Sequence, residues 1–116
     1  MGGLTPARKV TALGELHGVR TACHGPSDVS LVGHALNLHL DLVAPNFGIQ
    51  EYCGFDDPIQ QVFSGMPELR QGYLYPNDRP GLGINVNEER AATFPCQACV
   101  DTSMEARLAD GSLSRP

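Results

Sequence analysis

Between Thr5 and Glu51 the apolar pattern switches from helix to strand, back to helix, and again to strand, with very short connections. Thr5-Pro6 suits a helix start, since Thr is a good N-cap and Pro fits the first helical position. The spacing predicts a helix from about Pro6 to His17, with Val10, Leu13 and Leu16 along one side and Gly18 as its stop. Val19 to Cys23 reads as a strand that ends at the breaker His24-Gly25-Pro26. Asp28 or Ser30 can cap a second helix, on which Leu31, Val32, Ala35, Leu36, His39, Leu42 and Val43 recur at helical spacing until Pro45. Phe47 to Glu51 reads as a second strand. Alternation of this kind is the signature of βα units and a parallel sheet. Two strands are too few for such a sheet, whose faces and edges all need cover, and the first helix lacks the strand that should precede it. The expectation is part of a larger α/β architecture that folds only marginally in isolation.

After Tyr52 the pattern loosens. Asp57-Pro58 can open a short helix through Phe63, and Gly72 to Tyr75 reads as extended. Pro76 to Gly83 is rich in turn residues, and Asn87 before Glu88-Glu89 caps a last helix to about Phe94. The expected division is 1–94 as the folded part and 95–116 as an irregular tail.

With 116 residues, there is room for one small domain. The composition, 41% hydrophobic and 18% charged, is that of a globular chain. A net charge of −5 without a Lys/Arg stripe argues against nucleic acid and against an anionic membrane surface as partners. No apolar run approaches the ~20 residues that span a bilayer. Met1 to Pro6 has neither a basic nor an apolar signal region, so the cytoplasm is the expected compartment. The four cysteines are then read as free thiols. Cys96-Gln97-Ala98-Cys99 is a lone CxxC without the further ligands a zinc site needs.

His24 and Glu51 are the strongest candidates for chemistry. Each closes a predicted strand, and they lie one helix-plus-strand repeat apart. Neighbouring parallel strands would put them on one rim, about 5 Å apart. An imidazole beside a carboxylate can bind hydroxyls and a substrate carboxylate, or move protons. A capping His and a solvated Glu would show the same spacing. Asp28 sits in the loop after His24, where an N-cap role is the plainer reading. On the second helix, His34 and His39 do not share a face suited to chelation, and His39 falls on the apolar stripe, where a hydrogen-bonded packing role is expected. His17 suits the end of the first helix, and Glu15 and Asp41 are expected to be solvated.

Five stretches carry a family resemblance. Gly2 to Lys9 resembles the Gly-Gly-Ile/Leu-Thr-x-Ala-x-Lys opening of a late barrel helix in the enolase superfamily. Arg20-Thr21-Ala22-Cys23-His24-Gly25-Pro26-Ser27-Asp28 is similar to the Arg-Thr-Ala-x-His-Gly-x-x-Asp signature of its D-mannonate dehydratase subgroup, whose members are often called starvation-sensing proteins. Gly33 to Asp41 continues that likeness, Phe47 to Tyr52 resembles the eighth-strand segment, and Tyr73 to Gly83 resembles the stretch that closes the fold. Cys23 departs from the pattern, which has an aromatic residue there.

The resemblance implies the C-terminal portion of a (β/α)7β barrel, from the sixth helix through the eighth strand and a tail. It implies a carbon–oxygen lyase that removes water from an aldonic acid of the D-mannonate or D-gluconate type through an enediolate held by Mg²⁺. By that resemblance His24, Asp28 and Glu51 contact substrate. The Mg²⁺ ligands, the Tyr/Arg bases and the acid His lie on other strands, so neither a catalytic residue nor a metal ligand is assigned to this chain. A fragment without those groups is expected to be inactive alone and to bind no Mg²⁺. Intact members are expected to be homo-oligomers. The alternative is a non-catalytic remnant, a regulatory or interaction module of the starvation-sensing type.

Overall fold

A computed structural model describes residues 2–95, 106–107 and 109–114. The expectation for Cys96 and Cys99 falls outside the described residues.

The helix–strand–helix–strand order is present as α1 (Leu4–Leu16), β1 (Thr21–Cys23), α2 (Leu31–Val43) and β2 (Phe47–Gln50). The start of α1 differs from the expectation. Gly3 is its N-cap and makes no side-chain cap bond, so Thr5 and Pro6 lie inside the first turn. Pro is tolerated there because first-turn N–H groups have no intrahelical acceptor. Gly18 ends the helix as expected: with φ 66° it turns the chain so that its N–H reaches Glu15 O at 2.9 Å and the Val19 N–H reaches Gly14 O at 2.8 Å. Of the two possible caps for α2 it is Ser30 that serves, its Oγ accepting from the Gly33 N–H at 3.3 Å.

β1 and β2 pair in parallel, Thr21 with Phe47, Ala22 with Ile49 and Cys23 with Gln50. Gly48 is therefore an extra residue on β2, and only glycine fits. A Cβ at Gly48 would stand 2.6 Å from the Thr21 carbonyl oxygen. Asn46 fastens the turn before β2, its amide donating to Val19 O at 2.7 Å and to Thr11 O at 3.1 Å.

The core gathers around α2. Leu31, Ala35, Leu38 and Leu40 are buried there, with Ala44 just beyond its end and Val62 farther along. By contrast Val10, Leu13 and Leu16 of α1 are 53%, 57% and 83% exposed. A cavity of about 620 Å³ lies between α1 and the β1–α2 layer. Ile49 on β2 is also exposed, so one face of the two-stranded sheet is open.

The rest is built of small antiparallel pieces. After α3 (Asp57–Val62), β3 (Phe63–Ser64) pairs with β6 (Asn85–Val86). β4 (Glu68–Arg70) and β5 (Tyr73–Tyr75) form a hairpin whose turn residues Gln71 and Gly72 both have positive φ, 51° and 81°. Of these four strands only the Tyr73 stretch was legible as extended. Asn87 caps α4 (Glu88–Ala91) through its side chain, as expected. β7 (Ala106–Arg107) pairs with β8 (Leu113–Ser114). No helix among the described residues is long and apolar enough to cross a membrane.

Candidate functional site

The C-terminal ends of β1 and β2 lie side by side, because parallel pairing aligns strand ends. The last ladder bond runs from the Glu51 N–H to Cys23 O at 3.0 Å. One residue past it, His24 Nδ1 stands 2.6 Å from Glu51 Oε2. The Gly25 N–H also donates to Glu51 Oε2, at 3.0 Å. Both side chains face solvent, 78% and 54% exposed, so the pair is open to a ligand. The Gly25 bond, more than the neighbouring His24, holds the Glu51 carboxyl below its ordinary range. Because Nδ1 faces the carboxylate, Nε2 is the His24 nitrogen left for another partner, and Oε1 is the free oxygen of Glu51.

Gly25 cannot be replaced without moving this rim. A Cβ there would stand 2.0 Å from Glu51 O. Asp28 is exposed in the turn that leads to Ser30 and makes no hydrogen bond or ion pair among the described residues. The structure thus brings His24 and Glu51 together, and among the described residues Asp28 bonds to neither.

Two expectations about α2 are corrected. Asp41, expected to be solvated, is only 8% exposed, and Cys23 Sγ donates to its Oδ1 at 3.3 Å. Burial raises the Asp41 carboxyl above its ordinary value. It also pushes the Cys23 thiol up to about 12, helped by the bond to Asp41 and that group's charge. The second correction concerns the histidines. His39 is half-buried without the expected hydrogen bond among the described residues, while His34 is 1% exposed, with Nε2 3.2 Å from Pro26 O. His34, Leu38 and Asp41 lie on the inward face, about one residue out of phase with the stripe that the apolar spacing predicts.

Sequence reasoning also missed the supports of the rim. Asn37 donates to His24 O at 3.1 Å, and Arg20 donates to Phe47 O through Nε at 3.3 Å and Nη2 at 3.1 Å. Long-range side-chain bonds to backbone have no periodic trace in a sequence. Only the adjacency of Gly25 to His24 offered a signal.

Mg²⁺ does not fit these residues. No group of three or more His, Cys, Asp or Glu among the described residues could hold a metal ion. Glu51, the carboxylate on the rim, is already engaged by His24 and Gly25. A hard cation needs about six oxygens.

The family description "Enolase C-terminal domain-like" matches residues 1–90. The chain belongs to that family. Its fold is the C-terminal part of a TIM-barrel enzyme, as the family resemblance implied. A D-galactonate dehydratase family member of Salmonella enteritidis PT4 is 53% identical over 116 residues, covering 100% of this chain and 28% of that protein. The family member RspA of Pantoea ananatis is equally similar, 53% identical with 100% and 28% covered. The chain thus spans 28% of the length of these curated relatives. A crystal structure of an enolase from Pantoea ananatis with bound D-gluconate and Mg superposes with a TM-score of 0.91, at 53% identity, covering 100% of this chain and 28% of that one. A putative mandelate racemase/muconate lactonizing enzyme from Labrenzia alexandrii matches at TM-score 0.71 and 29% identity, covering 83% of this chain and 25% of that one.

Proposed function

We propose that this chain supplies the seventh- and eighth-strand rim of a sugar-acid dehydratase of the D-mannonate or D-gluconate type, and that His24, Asp28 and Glu51 touch the aldonate. The observation that carries the reading is the His24–Glu51 pair, 2.6 Å apart and exposed at adjacent parallel strand ends. The D-gluconate and Mg held by the Pantoea ananatis enolase support the substrate class. Residues 1–94 form the barrel segment in this reading, and 95–116 a tail. Mg²⁺ would be held by carboxylates of other strands, and the chain alone would be inactive.

The chemistry open to the pair follows from its geometry. Glu51, held ionised by Gly25 and His24, can accept a substrate hydroxyl through Oε1. It also turns the His24 ring so that Nε2 points away from the carboxylate, free to bind a hydroxyl or carboxylate or to exchange a proton. Asp28, without a partner among the described residues, is available for a second hydroxyl.

The test is a chimaera in which this chain replaces the matching segment of the Pantoea ananatis enolase, assayed with a panel of six-carbon aldonates that includes D-gluconate and D-mannonate. His24→Asn and Glu51→Gln keep shape and remove the charged or proton-handling form. Each should lower kcat/KM roughly ten- to a hundredfold, about 1.5–3 kcal/mol, and shift the melting temperature little. Wild-type turnover in both variants would make the pair structural. A second reading, a non-catalytic interaction module of the starvation-sensing type, is favoured by the exposed apolar side of α1. A folded chimaera that turns over none of the aldonates would support it.

A further inference from the structure

We propose that His34 is a positioning residue that sets the geometry of the His24–Glu51 pair. The inference rests on the reading of that pair as the ligand-contacting rim. His34 stands in the first turn of α2 and touches neither His24 nor Glu51 through a hydrogen bond. It touches instead the two loops that carry them. Its Nε2 lies 3.2 Å from the carbonyl oxygen of Pro26, two residues beyond His24. A carbonyl oxygen only accepts, so Nε2 carries the proton and the tautomer is fixed. The ring packs edge-on against Tyr52, which follows Glu51, with centroids 5.4 Å apart, and against Phe55 at 4.9 Å. One imidazole thus clamps both strand exits to one helix.

The clamp reaches the bond that orients Glu51. His34 Cε1 lies 2.9 Å from where a Cβ on Gly25 would stand, so ring and glycine are in close approach. Gly25 is the backbone donor to Glu51 Oε2. Asn37, on the next turn of α2, holds His24 O at 3.1 Å, so the same helix fixes the chain on either side of Gly25. The helix is itself anchored here, since the His34 N–H bonds Ser30 O at 3.0 Å and Ser30 is the cap.

A purely space-filling role would be met better by Phe or Leu. His34 is 1% exposed and leaves Nδ1 without a hydrogen-bond partner among the described residues. A buried polar atom of that kind costs stability. What histidine adds at this position is the rigid N–H donor to Pro26, and that donor fixes where the loop, and Gly25 within it, lies.

Two substitutions separate the donor from the bulk. His34→Gln places an N–H near the position of Nε2, and His34→Phe fills the space without one. In the isotopically labelled chain, the Gly25 amide proton reports its bond to Glu51. His34→Phe should move that resonance while the amides of the β4–β5 hairpin stay in place, and His34→Gln should restore it. In the chimaera, His34→Phe should weaken D-gluconate binding roughly tenfold, a misplacement effect, and His34→Gln should stay within about twofold of wild type. Three results would overturn the proposal: a Gly25 resonance indifferent to His34→Phe, a Gln variant as impaired as the Phe variant, or a wild-type Gly25 amide without the shift of a hydrogen-bonded donor. The reading of the pair fails by a different route, if His24→Asn and Glu51→Gln leave D-gluconate affinity intact while Gly25 still responds to His34.

Discussion

α1 and α2 are both thirteen residues long, and each carries apolar residues at helical spacing, yet they end in opposite surroundings. α2 buries Leu31, His34, Ala35, Leu38, Leu40 and Asp41, whereas α1 buries Thr11 alone. The difference lies in what each helix meets. α2 is the crossover between two paired strands and packs onto the sheet it connects. α1 meets β1 and α2 across a cavity of about 620 Å³ that Val10 helps to line, and Leu13 and Leu16 on its apolar side stay exposed. A periodic stripe therefore specifies a helix and the direction it would bury, but not whether anything is there to bury it.

The largest effect that separates the two helices is truncation of a core leucine. Leu31→Ala should cost about 2–5 kcal/mol, because it removes a fully buried side chain from α2. Leu13→Ala, on the exposed side of α1, should stay within about 0.5 kcal/mol. Urea melts of both variants make the check, and equal losses would break the comparison.

A smaller effect reads burial chemically. Cys23 lies beneath α2 bonded to Asp41, whereas Cys53 is exposed. With the Cys23 thiol pushed up to about 12, alkylation near pH 8 should modify Cys53 roughly tenfold faster or more. Peptide mapping distinguishes the two sites, and equal rates would mean that α2 does not cover β1. The linkage has a definite sign. An unfolded thiol ionises near 9.0 while the folded one keeps its proton to about 12, so this contribution to stability is present below 9 and lost as pH rises through that window.

The smallest effect belongs to the exposed rim. Glu51 is held below its ordinary 4.5 by Gly25 first, so the unfolded carboxyl takes up a proton more readily than the folded one. Its contribution is present above 4.5 and falls away as pH drops through the lower, folded value. Glu51→Gln should flatten the acid side of the stability curve slightly, as read from melts between pH 5 and 2. A profile superimposable on wild type would show that the Gly25 bond contributes nothing in solution.

The elements and the His24–Glu51 rim were legible in the residues because both depend on short-range rules. Alternating periods, Gly18 and Pro45 marked the elements, and parallel βα topology brought successive strand ends together. The sequence was silent or misleading where the decision needed a distant partner. Asp41 reads as a solvated acid until Cys23 is placed against it. The stripe favours His39 as the packed histidine until Pro26, Tyr52 and Phe55 fold over His34 instead. The β3–β6 pair joins segments too short and too far apart to leave a pattern. Spacing along the chain encodes which face a side chain takes and which strand ends align. Burial, hydrogen-bond partners and shifted proton affinities depend on atoms from elsewhere in the chain, and only the tertiary structure brings those within reach.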